Sequence, residues 1–348
     1  MYKRQSYQAF LKPAMRRANL TVLTDTLVER VELDGDRASG VRVRTPGGTE
    51  TILAAREVIL SAGALQSPKL LQLSGIGPAD VLEAAGVPVR HALPAVGRNL
   101  ADHAMFSISY RLHGDRGFNH EFHGWRLTSH VLRYYLTRKG LMAYTSPEVT
   151  ALLSMHSSPD WPDVQFGIGP FSMRSSAEIK ADPGRGALED KPGITVNAIA
   201  LRPKSRGSVS IRSGNVDDGI DVDANWWGDP ADRSFMIDMV RLVRRFMRQP
   251  ALSRFVGDEV VPGPAAETDE QIGAALEWLT SPGVHATGTC RMGPAHDSVV
   301  DGRLRVHGVR GLRVVDCSVM PLPPAGNTNG PAMVIGWRAA ELILEDRG

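Results

Sequence analysis

Glu57-Val-Ile-Leu-Ser-Ala-Gly-Ala-Leu-Gln-Ser-Pro-Lys-Leu-Leu-Gln-Leu-Ser-Gly75 is the stretch from which the rest of the chain is best read. Val58-Ile59-Leu60 lacks polar alternation, which predicts a short strand covered on both faces. It runs into Ser61-Ala62-Gly63-Ala64, a small-residue turn where a ligand can approach backbone closely. A helix should follow, with Ser67 as N-cap, Pro68 at the first helical position, an apolar face of Leu70, Leu71 and Leu73, and Gly75 as its stop. A well-capped helix start without any ligand accounts for the same text. Either way, this strand–turn–helix places the chain among α/β folds.

Upstream, Arg16 to Leu20 leads into strand-like text at Thr21-Val22-Leu23-Thr24. From Leu20 to about Ile59 the β-branched alternation is broken by Asp34-Gly35-Asp36 and Pro46-Gly47-Gly48, which predicts three antiparallel strands. Downstream, residues from about 104 change texture. Strands near Met105–Leu112, Val164–Ile168 and Ile194–Leu201 follow without a βαβ rhythm, suggesting an inserted second domain. Within it, Asp229-Pro230 opens an amphipathic helix ending near Pro250, with Phe235, Met236, Met239, Val240, Leu242, Val243, Phe246 and Met247 recurring at helical spacing as expected core. After His285 the first style returns. Leu312 to Asp316 reads as a buried strand ending in an acid, and a last helix spans about Ala332 to Leu344.

Composition bounds what this architecture can do. At 348 residues the chain exceeds one ordinary domain, and 42% hydrophobic with 22% charged residues fits a packed globular protein. Forty Lys+Arg against 38 Asp+Glu leave +2, and no basic block marks a nucleic-acid track. Two cysteines, Cys290 and Cys317, make no disulfide framework. No apolar run reaches the ~20 residues of a membrane span, and Met1 to Gln5 leads into no apolar signal core. A cytoplasmic protein in a reducing compartment is the expectation.

Three segments carry candidate chemistry. The first is the small-residue turn at Ala62 and Gly63, whose helix start offers N–H groups to an anionic or planar cofactor. The second, His285-Ala-Thr-Gly-Thr-Cys-Arg-Met-Gly293, sets an imidazole before a tight turn, where it can accept a substrate proton near pH 7. The third, Asp316-Cys-Ser-Val-Met-Pro-Leu-Pro-Pro-Ala-Gly-Asn-Thr-Asn-Gly330, puts an acid at the carboxyl end of a strand, suited to ribose or ribityl hydroxyls. Helix capping accounts equally for Asn329, and burial for Cys290.

In this order, the three segments resemble the glucose-methanol-choline (GMC) family of flavin-dependent alcohol oxidoreductases. Val96-Gly-Arg-Asn-Leu-Ala-Asp-His103, Leu201-Arg-Pro-Lys-Ser-Arg-Gly207 and Val299-Val-Asp-Gly-Arg-Leu-Arg-Val-His-Gly308 agree with the same family. The resemblance implies mixed α/β and α+β architecture: an FAD-binding, Rossmann-like domain with a β-meander over residues 1–103, an antiparallel-sheet substrate-binding domain over 104–280, and a return to the FAD domain over 281–348. It also implies FAD as cofactor, a small-molecule alcohol as substrate, choline-like compounds among them, and oxygen or a quinone-type compound as electron acceptor. His285 and Asn329 match the catalytic pair. Asp316 and Cys317 match residues near the ribityl-diphosphate, Asn327 and Thr328 would present backbone to the isoalloxazine, and Val28 would meet the adenine. Ala62 and Gly63 complete the cofactor set. The implied reaction passes a hydride from the carbinol carbon to flavin N5 while His285 takes the hydroxyl proton.

Family members open with a βαβ unit carrying Gly-x-Gly-x-x-Gly. Here Gly75-Ile-Gly77 and Gly167-Ile-Gly169 both lack the third glycine, so the chain reads as an amino-terminally truncated relative, or as one whose start is assigned too late. Trp337, where relatives commonly carry an acid, is a smaller departure. Two rival readings follow. One is a non-catalytic fragment that holds no flavin. The other, more distant, is a metal hydrolase built on His113, His120, Glu121, His123 and His130, whose His-Glu-x-His spacing departs from the zinc motif and whose stretch lacks a strong helical face. Asp221-x-Asp223-x-Asn225 imitates a calcium loop but reads as a strand and polar turn, with Trp226 where glycine is required.

Overall fold

Regular structure begins where alternation meets glycine turns. The computed structural model describes residues 6–114, 117–143, 149–156, 160–174, 182 and 188–346. β1 (Leu27–Asp34), β2 (Arg37–Thr45) and β3 (Gly48–Leu53) form an antiparallel meander, with Val31 opposite Val41. Gly35 (φ +58°) and Gly48 (φ +120°) take the left-handed backbone that such hairpins need. The Thr21–Thr24 text stays outside the sheet: these residues are exposed and find no strand partner in the meander, so alternation alone does not hold them extended.

β4 (Val58–Leu60) enters α1 (Gly63–Leu73). The helix starts at Gly63, five residues before Pro68, so Ser67 is not its N-cap and Pro68 lies inside it. Ser67 is buried and spends its hydroxyl elsewhere, on the turn and on Asp316.

Further along come β5 (Ala104–Leu112), α2 (Gly124–Thr137), β6 (Val149–Leu153), β7 (Val164–Gly169), β8 (Gly193–Ala200), β9 (Ser208–Ile211) and β10 (Ile220–Asp223). α3 (Pro230–Met247), β11 (Val256–Val261), α4 (Asp269–Leu279), β12 (Leu312–Val314) and α5 (Asn329–Glu345) complete the order. Asp229 caps α3 by accepting from the Ala231 N–H at 2.8 Å. A full capping box between Thr268 and Gln271 starts α4. The helix expected over Ala332–Leu344 begins three residues earlier, and its Trp337 is exposed, donating its indole N–H to Glu341 at 3.0 Å.

Contacts divide the chain into two units, residues 103–204 with 227–283, and residues 1–102 with 205–226 and 284–348. The first of these is built on an antiparallel sheet in the order β11-β5-β8-β7-β6, with Ser281-Pro282 also pairing β5. Alternate residues of β5, β7 and β8, among them Phe106, Ile108, Phe166 and Val196, are fully buried. Met236, Met239, Val240 and Val243 of α3 are buried too, and Phe246 meets Phe166 edge to face at 6.0 Å.

The other unit gathers the meander, β4, α1, β12, α5 and the β9–β10 hairpin. That hairpin falls inside the 104–280 segment read as one domain, yet it clusters with the chain ends. α1 explains why. Gln72 donates its amide to Val209 O (3.0 Å) and accepts from the Ile211 N–H (2.9 Å), while Lys69 donates to the carbonyls of Val216 and Asp218 (2.6 and 2.8 Å). Buried polar side chains of α1 thus complete the backbone hydrogen bonding of a segment far away in sequence. Asp223 accepts from the Asn225 N–H, in keeping with a strand and polar turn.

The histidine-rich stretch also differs from its reading, because it contains α2, whose Leu127, Val131 and Tyr134 share one half-buried face. Glu121 beside it meets His130 (2.8 Å), Arg126 (2.7 Å) and His120 (2.9 Å), and the His130 hydrogen bond, followed by the Arg126 charge, holds its carboxyl below the ordinary glutamate range against the opposing effect of burial. No group of three or more His, Cys, Asp or Glu that could hold a metal occurs among the described residues.

Candidate active site

β4 and β12 run parallel, with Val58 opposite Leu312 and Leu60 opposite Val314. Both strands therefore deliver their chains at the same carboxyl end, at Ser61 and Val315, where ligands bind in open parallel sheets. Val58, Leu60, Leu312 and Val314 are buried. Arg313 anchors the strand pair from the side, donating to Glu57 at 2.7 Å and to Asp346 at 2.5 Å.

Asp316 follows β12 and turns inward. One carboxylate oxygen accepts from the Gly63 N–H (2.9 Å) and the Ser67 hydroxyl (2.5 Å), the other from the Ser318 N–H (2.8 Å). A buried anion so placed satisfies the positive end of α1 and ties the first motif to the third. Within this geometry, what Asp316 and Cys317 offer a ligand is backbone. The Cys317 thiol is pushed up in pKa by burial, then by the Asp316 charge, and burial does the same to the enclosed Cys290. Neither is an activated nucleophile.

The strap from His285 to Met292 ties in the second motif. Thr287 bridges Ala101, the Cys290 N–H donates to Ser318 O (2.9 Å), and the Met292 N–H donates to Val319 O (2.8 Å). Thr289 donates its hydroxyl to Ala64 O at 2.6 Å. That carbonyl lies four residues before Pro68, which has no N–H to give it, so Thr289 supplies the donor that the helix lacks. Gly288 (φ +87°) makes the strap's turn, and a Cβ there would sit 2.4 Å from Asn99 O. Gly288→Ala is therefore expected to lower stability by at least about 2 kcal/mol, read as the midpoint shift in urea unfolding. An unchanged midpoint would show that the strap is loose.

His285 stands at the amino-terminal end of this strap. Its backbone N–H donates to Asp102 at 2.8 Å, and its ring Nε2 lies 2.8 Å from the Asn327 amide nitrogen. With the amide as donor, Nε2 is the acceptor and the ring proton resides on Nδ1. Burial lowers the His285 pKa below its ordinary value near 6.5, and the smaller effect of the Asp102 charge opposes this. The neutral, proton-accepting form thus persists further into acid than for a free imidazole. Because the folded pKa is the lower one, the stability this group contributes is complete above about pH 6.5 and is lost as pH falls through the folded value. Wild type is expected to lose more stability than His285→Gln on acidification across that window, as measured by urea titrations at stepped pH; parallel curves would contradict the shift.

Of the residues singled out from sequence, Ala62, Gly63, Asp316 and Cys317 meet at the β4–β12 end, while His285 meets Asn327. Cys317 approaches Thr328 O at 3.9 Å. Asn329 is the exposed first residue of α5, two positions beyond Asn327. The sequence assigns Asn327 a backbone role alone, whereas its side chain is the group at the imidazole, a contact for which the repeated Asn-Thr-Asn is the available signal. Val28 and Ala62 line a groove of about 500 Å³ together with Val41, Ile52 and Leu60.

Family models described as GMC oxidoreductase match residues 2–105 and 203–336, which together span most of the chain and all three motifs. The chain belongs to the GMC oxidoreductase family. This GMC chain is 36% identical to the oxygen-dependent choline dehydrogenase of Vibrio vulnificus over 97% of its own length and 59% of that protein's. It is equally identical, at 36%, to an uncharacterized GMC-type oxidoreductase of Mycobacterium tuberculosis, over 96% of its length and 62% of the relative's. Among solved structures it resembles pyridoxine 4-oxidase from Mesorbium loti at 27% identity and a TM-score of 0.80, covering 97% of this chain and 60% of that one. Formate oxidase of Aspergillus oryzae shares the fold, with a TM-score of 0.85 at 23% identity over 94% of this chain and 61% of the other. The GMC chain thus spans about three-fifths of the length of the curated relatives it matches.

Proposed function

We propose that this chain serves FAD-dependent oxidation of an alcohol, with His285 as the proton acceptor. The observation that carries the reading is the His285–Asn327 pair, in which a neutral imidazole has its Nε2 lone pair directed at the Asn327 amide. Alcohol oxidation removes a proton from oxygen and two electrons with hydrogen from carbon, so a neutral base beside the hydroxyl is what the protein must provide.

The residues present fit the two ring systems of FAD. The groove beside Val28 and Ala62 is lined mostly by apolar side chains and suits a purine, and the loop of Asn327 and Thr328, whose Asn327 side chain reaches the imidazole, suits the isoalloxazine. FAD, when bound, supplies the acceptor for the two electrons. Asn327 would yield the Nε2 lone pair to the substrate hydroxyl, and His285 would then take the proton. Asn329 would donate its amide to the same oxygen and orient it. Asp102 holds the His285 backbone, and Asp316 keeps the two cofactor-facing loops in register.

A small primary or secondary alcohol is the proposed substrate, with choline among the first to try because several curated relatives are named choline dehydrogenases. Oxygen or a quinone-type compound would re-oxidise the cofactor. The test is anaerobic mixing of the FAD-loaded protein with choline, pyridoxine and an aryl alcohol. Bleaching of the yellow absorbance by at least one of them is expected; a protein that takes up no FAD, or whose colour no alcohol bleaches, contradicts the proposal and leaves the non-catalytic reading.

A further inference from the structure

α2 carries its apolar stripe on the outside. Trp125, Leu132 and Leu136 recur at i, i+7 and i+11, within about 40° of one another on a helix of 3.6 residues per turn. They are 76%, 59% and 75% exposed, and Tyr135 at the border of the stripe is 68% exposed. The opposite face, Leu127, Val131 and Tyr134, is only half-buried, and no described residue of the helix is fully buried. Isolated apolar residues on a surface need no explanation, but an aligned stripe of this size marks a surface that meets something apolar.

Charge narrows what that is. Between Gly124 and Gly140 there is no Asp or Glu, against Arg126, Arg133, Arg138 and Lys139. Arg126 is engaged with Glu121 at 2.7 Å. Arg133 flanks the apolar stripe, and Arg138 and Lys139 close its carboxyl end, with Arg138 lying over the rings of Tyr134 and Tyr135 at 5.4 and 5.8 Å. A second copy of this helix packed on the stripe would set cation against cation with no carboxylate of its own to answer them. A surface that is apolar in depth and negative at its face satisfies both features at once.

We propose that α2 is an interfacial helix that seats this chain on an anionic phospholipid surface. Trp125, Leu132 and Leu136 enter the acyl boundary, and Arg133, Arg138 and Lys139 meet the headgroup phosphates. The helix lies on the bilayer and does not span it, for no helix among the described residues is long and apolar enough to cross one. The inference stands apart from the oxidoreductase reading, since it invokes neither His285 nor flavin.

Flotation of the full chain with vesicles tests it. Wild type should float with mixed phosphatidylcholine–phosphatidylglycerol vesicles and at least tenfold less with phosphatidylcholine alone, with the difference collapsing in about 0.5 M salt. The triple variant Trp125→Ser, Leu132→Ser, Leu136→Ser and the variant Arg133→Gln, Arg138→Gln, Lys139→Gln should each lose at least tenfold in binding. Should the serine variant fold poorly by circular dichroism, Trp125→Phe supplies a second readout: it should bind normally but lack the blue shift of indole fluorescence that wild type shows on anionic vesicles. Wild type remaining in solution with both vesicle types overturns the proposal. So does binding that survives both sets of substitutions, or a dimer in solution that the serine variant dissolves.

Discussion

His285→Ala in the FAD-loaded protein is expected to slow anaerobic flavin reduction by an alcohol about 10²- to 10⁴-fold, the range that a positioned general base contributes. The size follows from the site. The imidazole is held neutral by burial, its Nε2 is presented as an acceptor, and the Asp102 carboxylate fixes the backbone that carries it. Substrate affinity should change far less than the limiting rate, because the lost interaction is one that grows only as the proton moves. Asn327→Ala should have a smaller effect, of about tenfold, since it leaves the base and removes only its orienting partner. Stopped-flow absorbance of the flavin measures both. Near-native reduction by His285→Ala would remove the residue from the mechanism while leaving FAD binding itself intact.

The largest expected loss of stability belongs to Asp316→Ala. Three donors lose their acceptor together: the Gly63 N–H at the start of α1, the Ser67 hydroxyl and the Ser318 N–H. Each buried donor left unsatisfied costs about 1–3 kcal/mol, and the three are not independent, so a total of roughly 3–5 kcal/mol is expected. By thermal unfolding that corresponds to a fall of about 10 °C in the unit that contains them. Asp316→Asn keeps the shape but turns a donating NH2 toward one of these donors, and should fall between alanine and wild type. If alanine costs less than about 1 kcal/mol, the carboxylate is solvated in solution and does not join the two loops.

Much of the fold could be read locally. The meander is legible because its β-branched alternation and its Gly35 and Gly48 turns are contained within a few dozen residues, and α3 because Met236, Met239, Val240, Val243 and Met247 recur at helical spacing behind a Pro-initiated cap. What escapes is whatever depends on a distant partner. Ser67-Pro68 carries the local signature of a helix start, yet the helix begins at Gly63 because Asp316, far along the chain, receives the Gly63 N–H and Thr289 relieves the carbonyl that Pro68 leaves unpaired. The β9–β10 hairpin looks like any other part of the middle segment until Gln72 and Lys69 complete its backbone bonds. α2 is hidden in the sequence for a different reason. Its apolar residues occupy two opposite faces, so they blur the single stripe on which helical periodicity is recognised.

The candidate site shows the same division. His285, Ala62, Gly63 and Asp316 were identifiable as residue types in motifs, but not the direction in which each points. Asp316 turns into the protein, and Asn327 turns its amide onto the imidazole. The first orientation is set by the Gly63 N–H, 253 residues before Asp316, and the second by the His285 ring, 42 residues before Asn327, partners that no local pattern encodes.

Proton transfer at this site requires His285 to be a neutral imidazole whose Nε2 is the accepting nitrogen, and histidine ring nitrogen NMR on the labelled protein reads that property directly. The predicted spectrum assigns His285 to the Nδ1–H tautomer at pH 7, with protonation only below about pH 6.5 and a shift of the Nε2 resonance in Asn327→Ala. A charged ring at neutral pH, or a proton on Nε2 that ignores Asn327, would contradict it.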